Sequence, residues 1–228
     1  MDINKKKAYK DERIFNFLGF TIFDLTHISV SIILFLDEIR RYKAGEMAAS
    51  DLPMDFADFS VEIVCAVLLL VFVLLFAEKQ TDRLLVTRNY TFAWVVASMS
   101  LFIPETFNIC YLYVTKELLE SSELTQIFNK IVLFTSCSAF ISFLVSLFLC
   151  GKGIKWRISL AIGIAFVILT AILNTVSLSI EIASSAAGFI WEEIPELLLM
   201  AVPLVPSIFA LASLNDINKA SSISETQK

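Results

Sequence analysis

A single histidine, His27, serves a chain of 228 residues. Metal binding and acid–base chemistry therefore fall to carboxylates and that one imidazole. The four cysteines, Cys65, Cys110, Cys137 and Cys150, stand far apart, with no CxxC pair and no zinc-type Cys/His spacing. Isolated cysteines of this kind pack as small hydrophobes. Only six glycines occur, and none makes a GxxxG pair. HExxH, GxSxG, P-loop and GxGxxG patterns are all missing. No catalytic residue, cofactor or metal ligand is assigned on this basis, and an enzyme with scattered catalytic groups is the least supported reading. No basic patch with interleaved aromatics is present, which argues against nucleic acid.

Apolar surface is what the chain has in excess. It is 57% hydrophobic, with 20 phenylalanines and a mean hydropathy of +0.75. A helix needs about 20 apolar residues to cross the hydrocarbon. Six stretches qualify, at 14–36, 60–77, 90–114, 128–150, 157–180 and 190–213. They predict an all-α integral membrane protein, a bundle of six transmembrane helices. Continuous runs such as VCAVLLLVFVLLFA (64–77) do not alternate as barrel strands would. Residues 1–13 read as a basic cytoplasmic N-terminus, 14–214 as the membrane domain and 215–228 as a polar cytoplasmic tail. The first stretch is too long for a signal peptide, and Asp24 and His27 interrupt it, so it is expected to be retained.

Lysine and arginine set the expected orientation. Thirteen of them, including Lys5, Lys6, Lys7, Lys79, Arg83, Lys152 and Lys155, fall on one side. Five, Arg40, Arg41, Lys43, Lys116 and Lys130, fall on the other. The richer side is cytoplasmic by the positive-inside rule, and six spans then put both termini there. The inner lysines suit anionic headgroups of a cell (plasma) membrane. Trp94, Trp156 and Trp191 fall near span ends and are expected at the membrane interfaces.

The outer side is then acidic. Asp51, Asp55, Asp58 and Glu62 are spaced four, three and four, which aligns them along one helix face. Ser50 or Asp51 can cap that helix, and Pro53 suits its first turn. Acids there complement the helix dipole, by about 0.3–1 kcal/mol each. The same stripe would also make a cation-attracting vestibule.

A few polar groups fall deep within spans. Asp24 and His27 are three residues apart on one face of the first span and could share a proton. Glu105 lies mid-way along the third span with Asn108 three residues on. An acid at mid-bilayer costs about 2.5–3.5 kcal/mol on insertion scales, so such groups face the interior, pair or lose their charge. Pro104 removes a helix hydrogen bond and frees a carbonyl beside Glu105, an arrangement that broken transporter helices use for ions. The sixth span carries Glu192, Glu193 and Glu196 with Pro195, Pro203 and Pro206, which predict a bent or broken helix. Lys130, early in the fourth span, is the expected salt-bridge partner for one of these acids.

Ile-Pro-Glu occurs at 103–105 and 194–196, and Ile-Phe-Asn at 14–16 and 127–129. The pairs fall in spans three and six and in spans one and four, as a 3+3 inverted repeat would place them. Size, six spans and inward termini are similar to the substrate-binding subunits of energy-coupling-factor vitamin importers. The first span lacks the small-xxx-small pattern expected for docking to their partner, and no motif assigns the chain to that family.

Two functions fit these features. One is transport or binding of a cationic or proton-coupled small solute through the acidic vestibule, with Glu105, Asp24, His27, Asn108, Glu62, Glu196 and Lys130 as candidate ligand- or proton-binding residues. The other is a non-transporting partner of another membrane protein, an immunity, assembly or sensing factor. Both rest on sidedness, which a reporter fused after Lys228 checks. Its activity is expected in the cytoplasm, and activity on the far side would invert the whole assignment.

Overall fold

Hydrogen bonding within one helix is the cheapest way to satisfy a backbone in an apolar surround. In the computed structural model the described residues are 3–45, 52–77, 83–114, 123–150, 152–184 and 194–212, and they are helical throughout apart from short turns, with no strand. The helices are α1 (Ile3–Ala44), α2 (Leu52–Ala77), α3 (Arg83–Val114), α4 (Glu123–Phe148), α5 (Ile154–Ser184) and α6 (Ile194–Ala201). A further helical segment follows α6 at 204–212. Four segments are long and apolar enough to cross a membrane: Leu18–Ala44, Gln126–Phe148, Ile154–Ile180 and Ile194–Ala212. A shorter apolar stretch, Phe59–Val71, lies in α2. These apolar helices suggest a membrane protein.

Helix ends follow local chemistry. α1 is much longer than the 14–36 stretch because Lys, Arg, Glu and Leu favour helix and nothing breaks it before Gly45. Gly45 adopts φ 75°, and its N–H donates to the Tyr42 carbonyl at 3.1 Å, closing the helix. The same extension carries Asp37 and Glu38 into α1. α2 begins where expected, with Pro53 in its first turn. The expected break in the last apolar stretch is also present. The helix stops at Ala201, turns through Val202 and Pro203, and resumes at 204. Ser207 donates to the Pro203 carbonyl at 2.8 Å, which secures the restart. By contrast, α3 runs helical through Pro104. Ile103–Glu105 therefore lies well inside α3, whereas Ile194–Glu196 opens α6, so the two tripeptides occupy different helical positions.

Each helix packs on the next, and α6 returns to both α5 and α1, closing a ring. The polarity of this bundle is reversed from that of a soluble one. Large apolar side chains face outward, Phe134 at 66% and Phe148 at 81% exposure among them. Buried positions are rich in Ser, Thr and Ala, the small residues that let helices approach within lipid.

The centre is aromatic. Trp94 of α3 stacks on Phe143 of α4, with ring centroids 5.1 Å apart, and meets Phe20 of α1 edge-on at 5.1 Å. Trp94 is thus buried in the core, which corrects its expected interfacial placement. Position along a span does not say which face a tryptophan occupies, and here Phe20 and Phe143 enclose it. Trp156 on α5 is half-buried and donates through Nε1 to Thr91 Oγ1 at 2.9 Å, tying α5 to α3.

Gly163 of α5 sits against Phe143 so closely that an added Cβ would lie 2.6 Å from its ring. Helix propensity alone favours alanine there by about 1 kcal/mol. Overpacking typically costs about 1–3 kcal/mol, and the Trp94 stack prevents Phe143 from yielding. Gly163→Ala is therefore expected to lower the thermal unfolding midpoint in detergent, and Phe143→Leu added to it should restore part of the loss. An unchanged midpoint in Gly163→Ala would contradict this packing.

Candidate functional site

Most buried hydroxyls in this bundle are accounted for by their own helix. Ser98 and Ser100 donate to Val95 and Ala97 carbonyls, Thr135 and Ser136 to Val132 and Leu133, and Thr91 to Thr87. Others tie helices together. Ser159 donates to the Ser142 carbonyl at 2.8 Å, and Thr170 Oγ1 lies 2.9 Å from Thr135 Oγ1. Each such pair between membrane helices contributes about 0.6 kcal/mol on average.

α1 departs from this pattern. Asp24 is 1% exposed, and neither carboxylate oxygen has a hydrogen-bond partner among the described residues. Ser31 is 3% exposed, and its Oγ also lacks one. Among the described buried serines and threonines, Ser31 alone stands so. Asp24, His27 and Ser31 follow a three-and-four spacing, which puts them on one face. His27 is also buried, with its ring 5.4 Å from that of Phe23. Asp24 and His27 share the interior face as expected, but no hydrogen bond joins them.

The same stripe leads to a cavity. A space of about 140 Å³ opens between α1, α2 and α6. From α1 it is lined by Ser31, Leu34, Phe35 and Glu38. α2 supplies Phe59 and Glu62, and α6 supplies Leu199. Phe35 and Phe59 stack nearly parallel, 4.2 Å between centroids and 3° between planes, forming one apolar wall. Glu38 and Glu62, both half-buried, bring two carboxylates to the same space from different helices. Each makes a further interaction in the structure. Asp24 lies two helical turns deeper than Ser31, roughly 10 Å along the axis at 1.5 Å per residue.

The expected site residues therefore separate into groups. Asp24, His27 and Glu62 gather along or beside one face of α1. Glu196 is exposed in the first turn of α6. Lys130 is exposed on α4 and pairs with no described acid, whereas Arg40 pairs with Asp37 at 2.7 Å near the end of α1. The side chains of Pro104, Glu105 and Asn108, and of Asp51, Asp55 and Asp58, lie outside the described residues. Pro195 falls in the first turn of α6, while Pro203 and Pro206 are buried at its break. No group of three or more His, Cys, Asp or Glu able to hold a metal is found among the described residues. Sequence reasoning missed Ser31 and Glu38. The signal was available, because positions 24, 27, 31 and 38 continue one helical stripe.

An unpartnered buried polar group costs about 1–3 kcal/mol, and more when charged. Removing it should help the fold. Asp24→Ala is expected to raise the thermal midpoint in detergent, corresponding to about 1–3 kcal/mol before any loss from the space left. Thr170→Val, which deletes a satisfied interhelical contact, is expected to lower it. A fall in Asp24→Ala comparable to that in Thr170→Val would mean that Asp24 is held by a bond.

No protein-family model, curated protein or solved structure matches this chain, so its function is argued from its own side chains.

Proposed function

We propose that this protein is a six-span membrane protein of the cell membrane, with both termini cytoplasmic, that binds and moves a cationic or proton-coupled small solute. The observation that carries this reading is Asp24, a fully buried carboxyl group with two unpartnered oxygens on the face of α1 that leads to the cavity. Such a group weakens the fold, and ionisable residues inside membrane helices mark ion or proton pathways by default. Glu38 and Glu62 at the cavity supply the negative potential that draws a cation inward. In the expected orientation the cavity lies in the outer half of the bundle, so the solute enters from outside. His27, one turn from Asp24, takes part in proton handling. Glu105 with Asn108 forms a second acidic position on α3 for the same solute path, and Glu196 and Lys130 adjust the potential around it.

Charge movement tests this reading directly. Proteoliposomes adsorbed on a solid-supported membrane are challenged in turn with sodium, potassium, methylammonium, guanidinium and a step in pH. At least one is expected to give a transient current above empty liposomes, and Asp24→Asn is expected to reduce it at least tenfold. Full currents in Asp24→Asn would remove Asp24 from the path. Silence with every challenge, together with a stoichiometric protein partner in mild detergent, would leave the interaction-factor reading in its place.

A further inference from the structure

The chemistry of the cavity says which cation suits it. A hard metal ion seeks six or more oxygen ligands. The lining offers oxygen from three side chains, Ser31, Glu38 and Glu62, and otherwise presents Leu34, Phe35, Phe59 and Leu199. An inorganic ion would exchange its hydration shell for hydrocarbon on most sides. A primary ammonium has different needs. It carries three N–H donors and a carbon chain, and the cavity presents three acceptor-bearing side chains and an apolar wall.

Ser31 is the distinguishing feature. The other buried hydroxyls described here have a hydrogen-bond partner, most of them through their own helix, whereas Ser31 Oγ is buried, has no partner and lines this space. The hydroxyl is thus available to accept from a ligand. The carboxylates make other interactions, but each offers about four lone-pair sites and can accept again.

Size narrows the class. A cavity of about 150 Å³ accommodates benzene, six heavy atoms. The space here is about 140 Å³, below the roughly 300–1,000 Å³ of drug-sized ligand pockets. Short alkylammonium ions fit, and the aromatic wall adds cation–π attraction of about 0.5–2 kcal/mol where the head group lies over a ring.

We infer that the cavity between α1, α2 and α6 binds a small primary alkylammonium ion, its –NH₃⁺ among Ser31, Glu38 and Glu62 and its carbon chain against Phe35 and Phe59. The inference rests on the cation-handling reading above and names its solute class. Binding is measured calorimetrically on full-length protein in nanodiscs, with methyl-, ethyl- and n-butylammonium against sodium, potassium and tetraethylammonium at constant ionic strength.

The primary ammonium ions are expected to bind. Sodium and potassium should fail to displace them at equal concentration, and tetraethylammonium, which has no N–H donor and a bulky head, should not bind. Glu62→Gln should weaken ethylammonium at least tenfold, and Ser31→Ala several-fold. Leu199→Phe narrows the space from the third helix without touching a polar group, and it should exclude n-butylammonium before methylammonium. It also serves if Glu62→Gln does not fold. Binding of sodium or potassium in preference to every ammonium ion overturns the inference, as does unchanged ethylammonium affinity in folded Ser31→Ala and Leu199→Phe. Currents carried by sodium, potassium or protons but not ammonium would overturn this solute class while leaving the transport reading intact.

Discussion

In an apolar surround every donor and acceptor must find its partner within the protein, and this requirement organises the bundle. The backbone meets it by becoming helix. Side-chain hydroxyls meet it by folding back onto carbonyls three or four residues earlier, as at Ser98, Thr135 and Ser207. That bond lets a serine occupy an interior position without a desolvation penalty, and its small size lets neighbouring helices come close. The outward face is then left to Leu, Ile, Val and Phe. In water such a surface would be an aggregation liability, since apolar patches on soluble monomers rarely exceed a few hundred square ångströms.

Close approach concentrates where α3, α4 and α5 meet. Trp94 and Phe143 fill the centre, Gly163 makes room for the Phe143 ring, and Thr91 joins Trp156 across the helices. Ser159 and Thr170 add further bonds from α5 to α4. Gly19 lets α1 approach the segment after the Pro203 break; a Cβ there would lie 3.2 Å from Phe209 and 3.3 Å from the Pro206 backbone. The broken last helix and the first helix thus fit each other by the absence of a side chain.

Helical content, the start of α2 at Pro53 and the break at Pro203 were legible because each has a local chemical cause in the sequence. Pro104 shows the limit of that logic, for the helix runs on through it. Facing was harder to read. Trp94 falls near the end of an apolar stretch, yet whether it faces outward or meets Phe143 depends on rotation about the helix axis, which other helices set. The sequence places Glu38 on the acidic outer side but aligns an acidic stripe along α2 only, because the first apolar stretch stops at residue 36. Once α1 extends to Ala44, Glu38 joins Glu62 across a single cavity. The place of Ser31 on the α1 stripe was readable, but its unbonded hydroxyl was not. Serine is common in this chain, and nothing in its neighbours says that its hydroxyl, unlike the others, would forgo a bond to its own helix.

That difference has a consequence for how the bundle can respond to a ligand. A hydroxyl or carboxylate already bonded gains little from a new partner, because one bond replaces another. Ser31 and Asp24 have no such bond to give up. A ligand that reaches them gains the whole of what burial has withheld, whereas one that reaches the α4–α5 interface gains only a difference. The unpaired acceptors thus lie on one face of α1, the helix that also borders the break after α6. A ligand stabilises the state it contacts only by its differential interaction with that state. On α1 the differential lies where the fold left acceptors unpaired, and the closely packed α3–α4–α5 interface, in which the Trp94 Nε1 donor alone is left without a partner among the described residues, is the body against which α1 would be drawn.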